Sequence, residues 1–361
     1  MKKVISFPHM ANYHIPIEIL LKLIFHDCTI LPSPPITKKT LELGSRYSPD
    51  FVCVPFKYNL GNFIETLDNG ANILLQAGGG CRFGFYGELQ AQILKDLGYE
   101  FEFITLISLS DISDLYKTIK RLGSPLSFHK FICYVVLVMT MVKIIDKIEF
   151  YIRENVGFEV IQGSFENLLQ DFFDELKNIK SFKKLFSVYR KYNKRLKNIK
   201  IDKPPDCLKV GMVGELYTLM EPYSNYYMEK ELAKNKIAVS RYITVSYLLF
   251  EKGFTDKFTL KKTGKYLKYL IGADGVDSVF RSKRFAECGY DGIIHVKPFG
   301  CTPEINAIPS LQNISRDYKI PILYFSFDSQ TSETGVQTRL EAFYDMLVKR
   351  KEATCKKDFW V

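Results

Sequence analysis

Residues 71–106 read "ANILLQAGGGCRFGFYGELQAQILKDLGYEFEFITL". An apolar run, "ANILLQAGG", ends in a glycine tract. A helical pattern, "GELQAQILKDLGY", follows, and a second apolar run, "EFEFITL", closes the stretch. Strand, helix, strand at this spacing is a crossover unit. Two parallel strands need a connection long enough to return to the same end, so crossover units build parallel sheets. The stretch also puts Cys81 just beyond the carboxyl end of its first strand, where open parallel sheets bind ligands.

The pattern extends in both directions. Toward the N-terminus, "KKVISFP" reads as a strand, "IPIEILLKLIF" as a helix and "CTILPSP" as a strand. "ITKKTLELGSRYS" reads as a helix closed by Gly44, "DFVCVP" as a strand with Cys53 at its end, and "NLGNFIETLDNG" as a helix closed by Gly70. From Asp111 to Lys203 helical periodicity continues and strands are scarce, until "KPPD" (203–206) breaks it, because a residue before proline resists helix. A second strand–helix set follows: "CLKVGMVGELY", "NYYMEKELAKNKI", "AVSRYIT", "DSVFRSKRFAECGY", "DGIIHVKPF", "PSLQNISRDYKI", "PILYFSFD" and "TRLEAFYDMLVKRK". The expected fold is α/β: two doubly wound, mostly parallel-sheet domains over residues 1–110 and 206–361, with a helical segment over 111–205 between them.

At 361 residues, 47% hydrophobic and 25% charged, the chain has an ordinary globular composition. Its net charge of +10 is concentrated between Lys177 and Lys203, which carries eleven Lys/Arg. Such a run attracts polyanions. Phe182, Leu185, Phe186 and Tyr189 recur in it at helical spacing, so it also reads as the solvated side of a helix. With no helix-turn-helix, zinc-finger or aromatic RNA-binding signature, a nucleic-acid partner is not expected. "FICYVVLVMTMV" (131–142) falls short of the roughly 20 apolar residues that span a bilayer, so a buried helix and no membrane partner are expected. The N-terminal "MKKVISFPHMANY" lacks the apolar core of a secretory signal. A cytoplasmic location with reduced cysteines is therefore expected.

Three of the eight cysteines sit among glycines and prolines. Cys53 lies in "PDFVCVPFK", Cys81 in "GGGCRFG" and Cys301 in "HVKPFGCTPE", each read at the carboxyl end of a strand. Thiolates bind soft metals and iron–sulfur clusters, and glycine lets backbone N–H groups approach closely. Gly79, Gly80, Arg82, Glu215 and Glu304 would line these loops. Against this, no C-x-x-C pair is present, and a free cysteine also serves as a small buried hydrophobe. Cys133, inside an apolar helix, is read that way, and Cys28, Cys207, Cys288 and Cys355 as structural. "AGGGCRFG" lacks the lysine of a phosphate loop, and no G-x-S-x-G nucleophile elbow occurs. Two polar clusters follow strands: Glu215, Tyr217, Glu221 and Asn225, then Asp328, Gln330, Thr331, Glu333, Thr338 and Arg339. They either line a site or cap the next helices.

"SPDFVCVPFKYNLGNFIETLDNGANILLQAGGGCRFGFYGELQAQILKDLGY", "VGELYTLMEPYSN", "HVKPFGCTPEI" and "FDSQTSETGVQTRLEAF" together resemble the 2-hydroxyacyl-CoA dehydratase superfamily. The resemblance is to its 2-hydroxyglutaryl-CoA dehydratase D-component-like members, in the group related to the C-terminal part of large CoA-dehydratase activases. It covers about residues 2–110 and 209–349 and implies two α/β domains clamping one iron–sulfur cluster, a [4Fe-4S] cube, through Cys53, Cys81 and Cys301. Three thiolates would leave one iron open to a small ligand. The resemblance further implies an ATP-hydrolysing activase as electron donor and a second dehydratase-like subunit or a homodimer. An acyl-CoA or another small molecule would be the substrate. Three functions stay open: an iron–sulfur redox protein fed by the activase, a 2-hydroxyacyl-CoA dehydratase subunit (a lyase), or a non-enzymatic partner of the activase. Ser329 and Thr334 depart from the acidic residue and alanine usual in the group.

Overall fold

The computed structural model describes residues 2–77, 81–106 and 112–358. Two compact units divide the chain: Met1–Ile145 with Leu168–Arg195, and Asp146–Asn167 with Leu196–Val361.

The first unit begins β1 (Val4–Ser6), α1 (His14–Ile24), β2 (Thr29–Ile30), α2 (Lys38–Tyr47), α3 (Val54–Asp68), β3 (Ile73–Ala77), α4 (Phe83–Asp96), β4 (Glu102–Leu106) and α5 (Ile112–Arg121). Its four strands are all parallel, in the order β2-β1-β3-β4. Successive side chains of a strand point to opposite faces, and both faces are covered. Ile73 and Leu75 of β3 pack with Leu21 and Ile24 of α1, Ile119 of α5 and Leu122 just beyond it. Leu74, between them, packs with Phe56, Leu60 and Phe63 of α3 and Leu94 of α4. That is the doubly wound arrangement, with a crevice beyond the carboxyl ends of β1 and β3, where the strand order reverses.

Three local expectations are corrected in this unit. "DFVCVP" forms no strand: Cys53 is an extended residue before α3. Pro55 fits the first turn of a helix, where its missing N–H is not needed. Residues Val54 to Leu67 are buried on every side, which hides the helical period that would have identified the element. Gly44 does not end α2, which runs on to Tyr47. It lies instead where α2 crosses α3: a Cβ on Gly44 would stand 1.7 Å from the Lys57 carbonyl oxygen, and one on Gly61 2.0 Å from that of Thr40. Cys133 is exposed on α6 (Phe128–Asn155), on the side away from buried Phe131, Val135 and Val138.

Two more helices follow, α7 (Ser164–Leu176) and α8 (Phe182–Lys197). Leu185, Val188 and Tyr192 form the buried side of α8, while Phe182 and Phe186 are exposed. Part of the basic run is paired to α7: Lys184 and Lys191 reach Glu175, and Arg195 reaches Asp171 at 2.8 Å. Among the described residues no helix is long and apolar enough to cross a membrane.

The second unit continues β5 (Lys209–Gly214), α9 (Leu216–Met220), α10 (Met228–Lys234), β6 (Ala238–Ser240), α11 (Val245–Tyr247), α12 (Gly253–Thr263), α13 (Gly275–Glu287), β7 (Gly292–Pro298), α14 (Thr302–Tyr318), β8 (Ile322–Phe327) and α15 (Glu333–Asp358). One π-helical turn, Leu248–Lys252, joins α11 to α12. The strands are again all parallel, in the order β6-β5-β7-β8. Val213 and Ile293 pack with Val279 of α13 and Ala307, Leu311 and Ile314 of α14. This order repeats that of the first sheet, so the second crevice lies beyond β5 and β7.

Candidate functional site

In the first unit, Cys53 and Cys81 come together around Tyr86. Cys53 is the residue before α3, and its Sγ lies 3.0 Å from the Tyr86 hydroxyl. Cys81 is exposed just ahead of α4, and its Sγ accepts from the Phe83 N–H at 3.5 Å. Tyr86 projects from α4 and is buried against Phe56, with ring centroids 4.8 Å apart. Burial first, then the neighbouring Cys53 and Cys81, hold the Tyr86 hydroxyl far above its ordinary pKa. It therefore keeps its proton, and either the hydroxyl or the Cys53 thiol can donate in this contact. Arg82 is exposed at the start of α4. Gly79 and Gly80, which the sequence placed in the same loop, lie outside the described residues.

In the second unit, Cys301 caps α14. β7 ends at Pro298, the Phe299 N–H bonds the Phe327 carbonyl at 2.7 Å, and the chain turns at Gly300. Gly300 has φ +74°, a left-handed conformation that favours glycine. Pro303 then stands in the first helical turn. Each of the three cysteines thus precedes a helix N-terminus, the positive end of the helix dipole.

Behind Cys301 lies a buried polar cluster. His295 and Glu304, the first and last residues of "HVKPFGCTPE", are fully buried and bonded to each other, Nε2 to Oε2 at 2.7 Å. Ser278 donates to the other oxygen of Glu304 at 3.1 Å. Lys297, also buried, donates to Ser326 at 3.0 Å. Burial lowers its pKa, and nearby Cys301 and Glu304 oppose that. Toward β5, Glu215 accepts from the Tyr217 and Thr218 N–H groups at 3.0 and 2.9 Å, capping α9. Burial pushes Glu215 up to about 7, with Asp274 adding to the rise against the Thr218 hydrogen bond. Asp274 accepts from the Leu216 N–H at 3.2 Å and pairs with Lys252 at 2.5 Å, and Lys252 also reaches Asp277 at 3.0 Å. Burial would lower the Lys252 pKa, but the two aspartates raise it. A carboxyl group titrating near neutrality in a crevice can hold or release a proton there.

The other sequence candidates serve local structure. Asn225 bonds the Thr218 and Leu219 carbonyls, Glu221 accepts from the Tyr223 N–H, and Asp328 closes a turn with Gln330 and Thr331. Sequence reasoning did not find Tyr86, Asp274, Lys252 or Ser278. None carries a motif, and each matters through a partner distant in sequence.

The family model of 2-hydroxyglutaryl-CoA dehydratase, D-component, matches residues 264–347. Over this stretch, less than a quarter of the chain, the sequence is similar to the 2-hydroxyacyl-CoA dehydratase superfamily. The matched part of the superfamily runs from just before α13 into α15, and so holds Asp274, His295, Cys301 and Glu304. Cys53 and Cys81 lie outside it. No curated protein matches the chain.

Proposed function

We propose that the protein is an iron–sulfur redox protein of this superfamily, with Cys53, Cys81 and Cys301 as cluster ligands and an ATP-hydrolysing activase as its electron donor. One observation carries the reading: all three thiols precede helix N-termini at loop positions, two of them sharing Tyr86. The donor set suits the group, since thiolates are the usual cluster ligands. Tyr86 would steady the Cys53 sulfur through its hydrogen bond, and Lys297 would offset negative charge at Cys301. When bound, such a cluster supplies low-potential one-electron transfer. A second reading, a dehydratase subunit that eliminates water from a 2-hydroxyacyl-CoA, is favoured by Glu215, whose titration near 7 suits it to moving a proton.

The test is iron per folded monomer after anaerobic reconstitution, with circular dichroism to score folding. Cys53→Ser, Cys81→Ser and Cys301→Ser should each lose most of the iron, because serine is a poor ligand for soft metals. Full iron in folded Cys301→Ser would refute the assignment. Turnover of a 2-hydroxyacyl-CoA with ATP, reductant and activase would favour the second reading.

A further inference from the structure

His295 and Tyr324 stand opposite each other on β7 and β8, and their rings meet edge to face with centroids 5.5 Å apart. His295 Nδ1 and the Tyr324 hydroxyl are both enclosed, and neither finds a hydrogen-bond partner among the described residues. Leaving a buried polar group unsatisfied costs roughly 1–3 kcal/mol, and a single water bonded to both would relieve the two at once.

The protonation pattern follows from the partners. Glu304 takes the Nε2 side of the ring at 2.7 Å. A carboxylate accepts, so the hydrogen faces it on Nε2, and in a neutral ring Nδ1 is then the acceptor. Burial pushes the Tyr324 hydroxyl up to about 12, so it keeps its proton and can donate. Two residues further along the same face, Lys297 and Ser326 form the next cross-strand pair. Lys297 interacts electrostatically with both Glu304 and Cys301. The polar row therefore begins inside the sheet at Tyr324 and ends beside the cysteine loop.

We propose that Tyr324, His295 and Glu304 form a proton-transfer path, with Tyr324 anchoring a buried water and Glu304 fixing the His295 tautomer. An excess proton reaching that water from solvent, as hydronium, binds Nδ1 and leaves neutral water, while the Nε2 proton passes to Glu304. One O–H bond and the Nε2–H bond break, the Nδ1–H bond and a carboxyl O–H bond on Glu304 form, and the reverse shift returns the proton to solvent and restores the starting tautomer. His295 and Glu304 act here as positioning and relay residues. The path rests on the cluster reading only for its destination beside Cys301.

The experiment uses the full chain, metal-free and labelled with 15N-histidine. Nuclear magnetic resonance correlations between ring carbons' protons and ring nitrogens should show His295 as the Nε2–H tautomer. Tyr324→Phe keeps the ring and removes the hydroxyl. It should leave that tautomer in place and slow exchange of the Nε2 hydrogen with solvent by an order of magnitude or more, the scale on which a positioned proton-transfer group acts. Glu304→Gln should release the tautomer. If it does not fold, the Tyr324 arm decides alone. An Nδ1–H tautomer in the wild type, or unchanged exchange in Tyr324→Phe, would overturn the path. Neither result depends on iron, so failure of the cluster reading would show separately as iron retained by Cys301→Ser.

Discussion

Replacing Glu215 with glutamine should remove a pH-dependent weakness from the second unit. The carboxyl titrates at about 7 in the folded protein against an ordinary 4.5, mainly because burial disfavours its charged form. Between those two values the folded protein holds a proton that the unfolded chain has released. Stability must then fall as pH rises through this window and level off above about 7. At about 1.4 kcal/mol per pH unit, the gap amounts to roughly 3 kcal/mol. Part of the side chain stays open to solvent, and discounting for that leaves about 2 kcal/mol. Glutamine can still accept one of the two capping hydrogen bonds, at a cost of about 1 kcal/mol for the other. The assay is urea unfolding followed by circular dichroism at several pH values from about 5 to 8. Wild type should lose about 2 kcal/mol across that range, while Glu215→Gln should stay flat and overtake it at the alkaline end. Parallel pH curves for the two proteins would show that Glu215 is ionised throughout and that its enclosure by the α9 cap has been misjudged.

Two further outcomes are expected. Gly44→Ala and Gly61→Ala should each destabilise the first unit by at least the roughly 1–3 kcal/mol typical of overpacking, because each new methyl meets rigid backbone; a thermal midpoint matching wild type would show that α2 and α3 can move apart. Cys133→Ser should change stability by no more than about 0.5 kcal/mol, as surface substitutions usually do, and should leave iron loading intact; a large loss of stability in thermal unfolding would mean the residue is covered.

The parallel α/β architecture was legible because crossover units alternate at a readable length. The strands that carry it are apolar and bounded by glycine or proline, as in "ANILLQAGG" and "DGIIHVKPF". Legibility failed where burial is complete. Around α3, residues Val54 to Leu67 are all covered, so neither a period of two nor one of 3.6 shows, and proline at the second helical position was read as a strand end. The opposite error placed Cys133 in the core, since "FICYVVLV" is apolar on paper yet turns one side to solvent. Of the polar cluster, only its ends were visible. Glu215 and Glu304 follow strands, but Asp274, Lys252 and Ser278 acquire meaning from contacts tens of residues away.

The repeated strand order relates the three loop cysteines to one another. Cys81 follows β3 and precedes α4; Cys301 follows β7 and precedes α14. β3 and β7 hold the same place in their sheets, so these two thiols are topological equivalents. Cys53 occupies the other recurrent position, the residue capping the helix that leads into that strand, here α3 before β3. Its counterpart in the second unit is the residue capping α13 before β7, which is Asp274. Two pairs of equivalent positions therefore carry three sulfurs and one carboxylate. That carboxylate is buried, bonded to the α9 backbone and neutralised by Lys252. Asp274 is thus engaged within its own unit. The second unit thus keeps a carboxylate where the first carries a thiol, and uses it to hold both Lys252 and the start of α9.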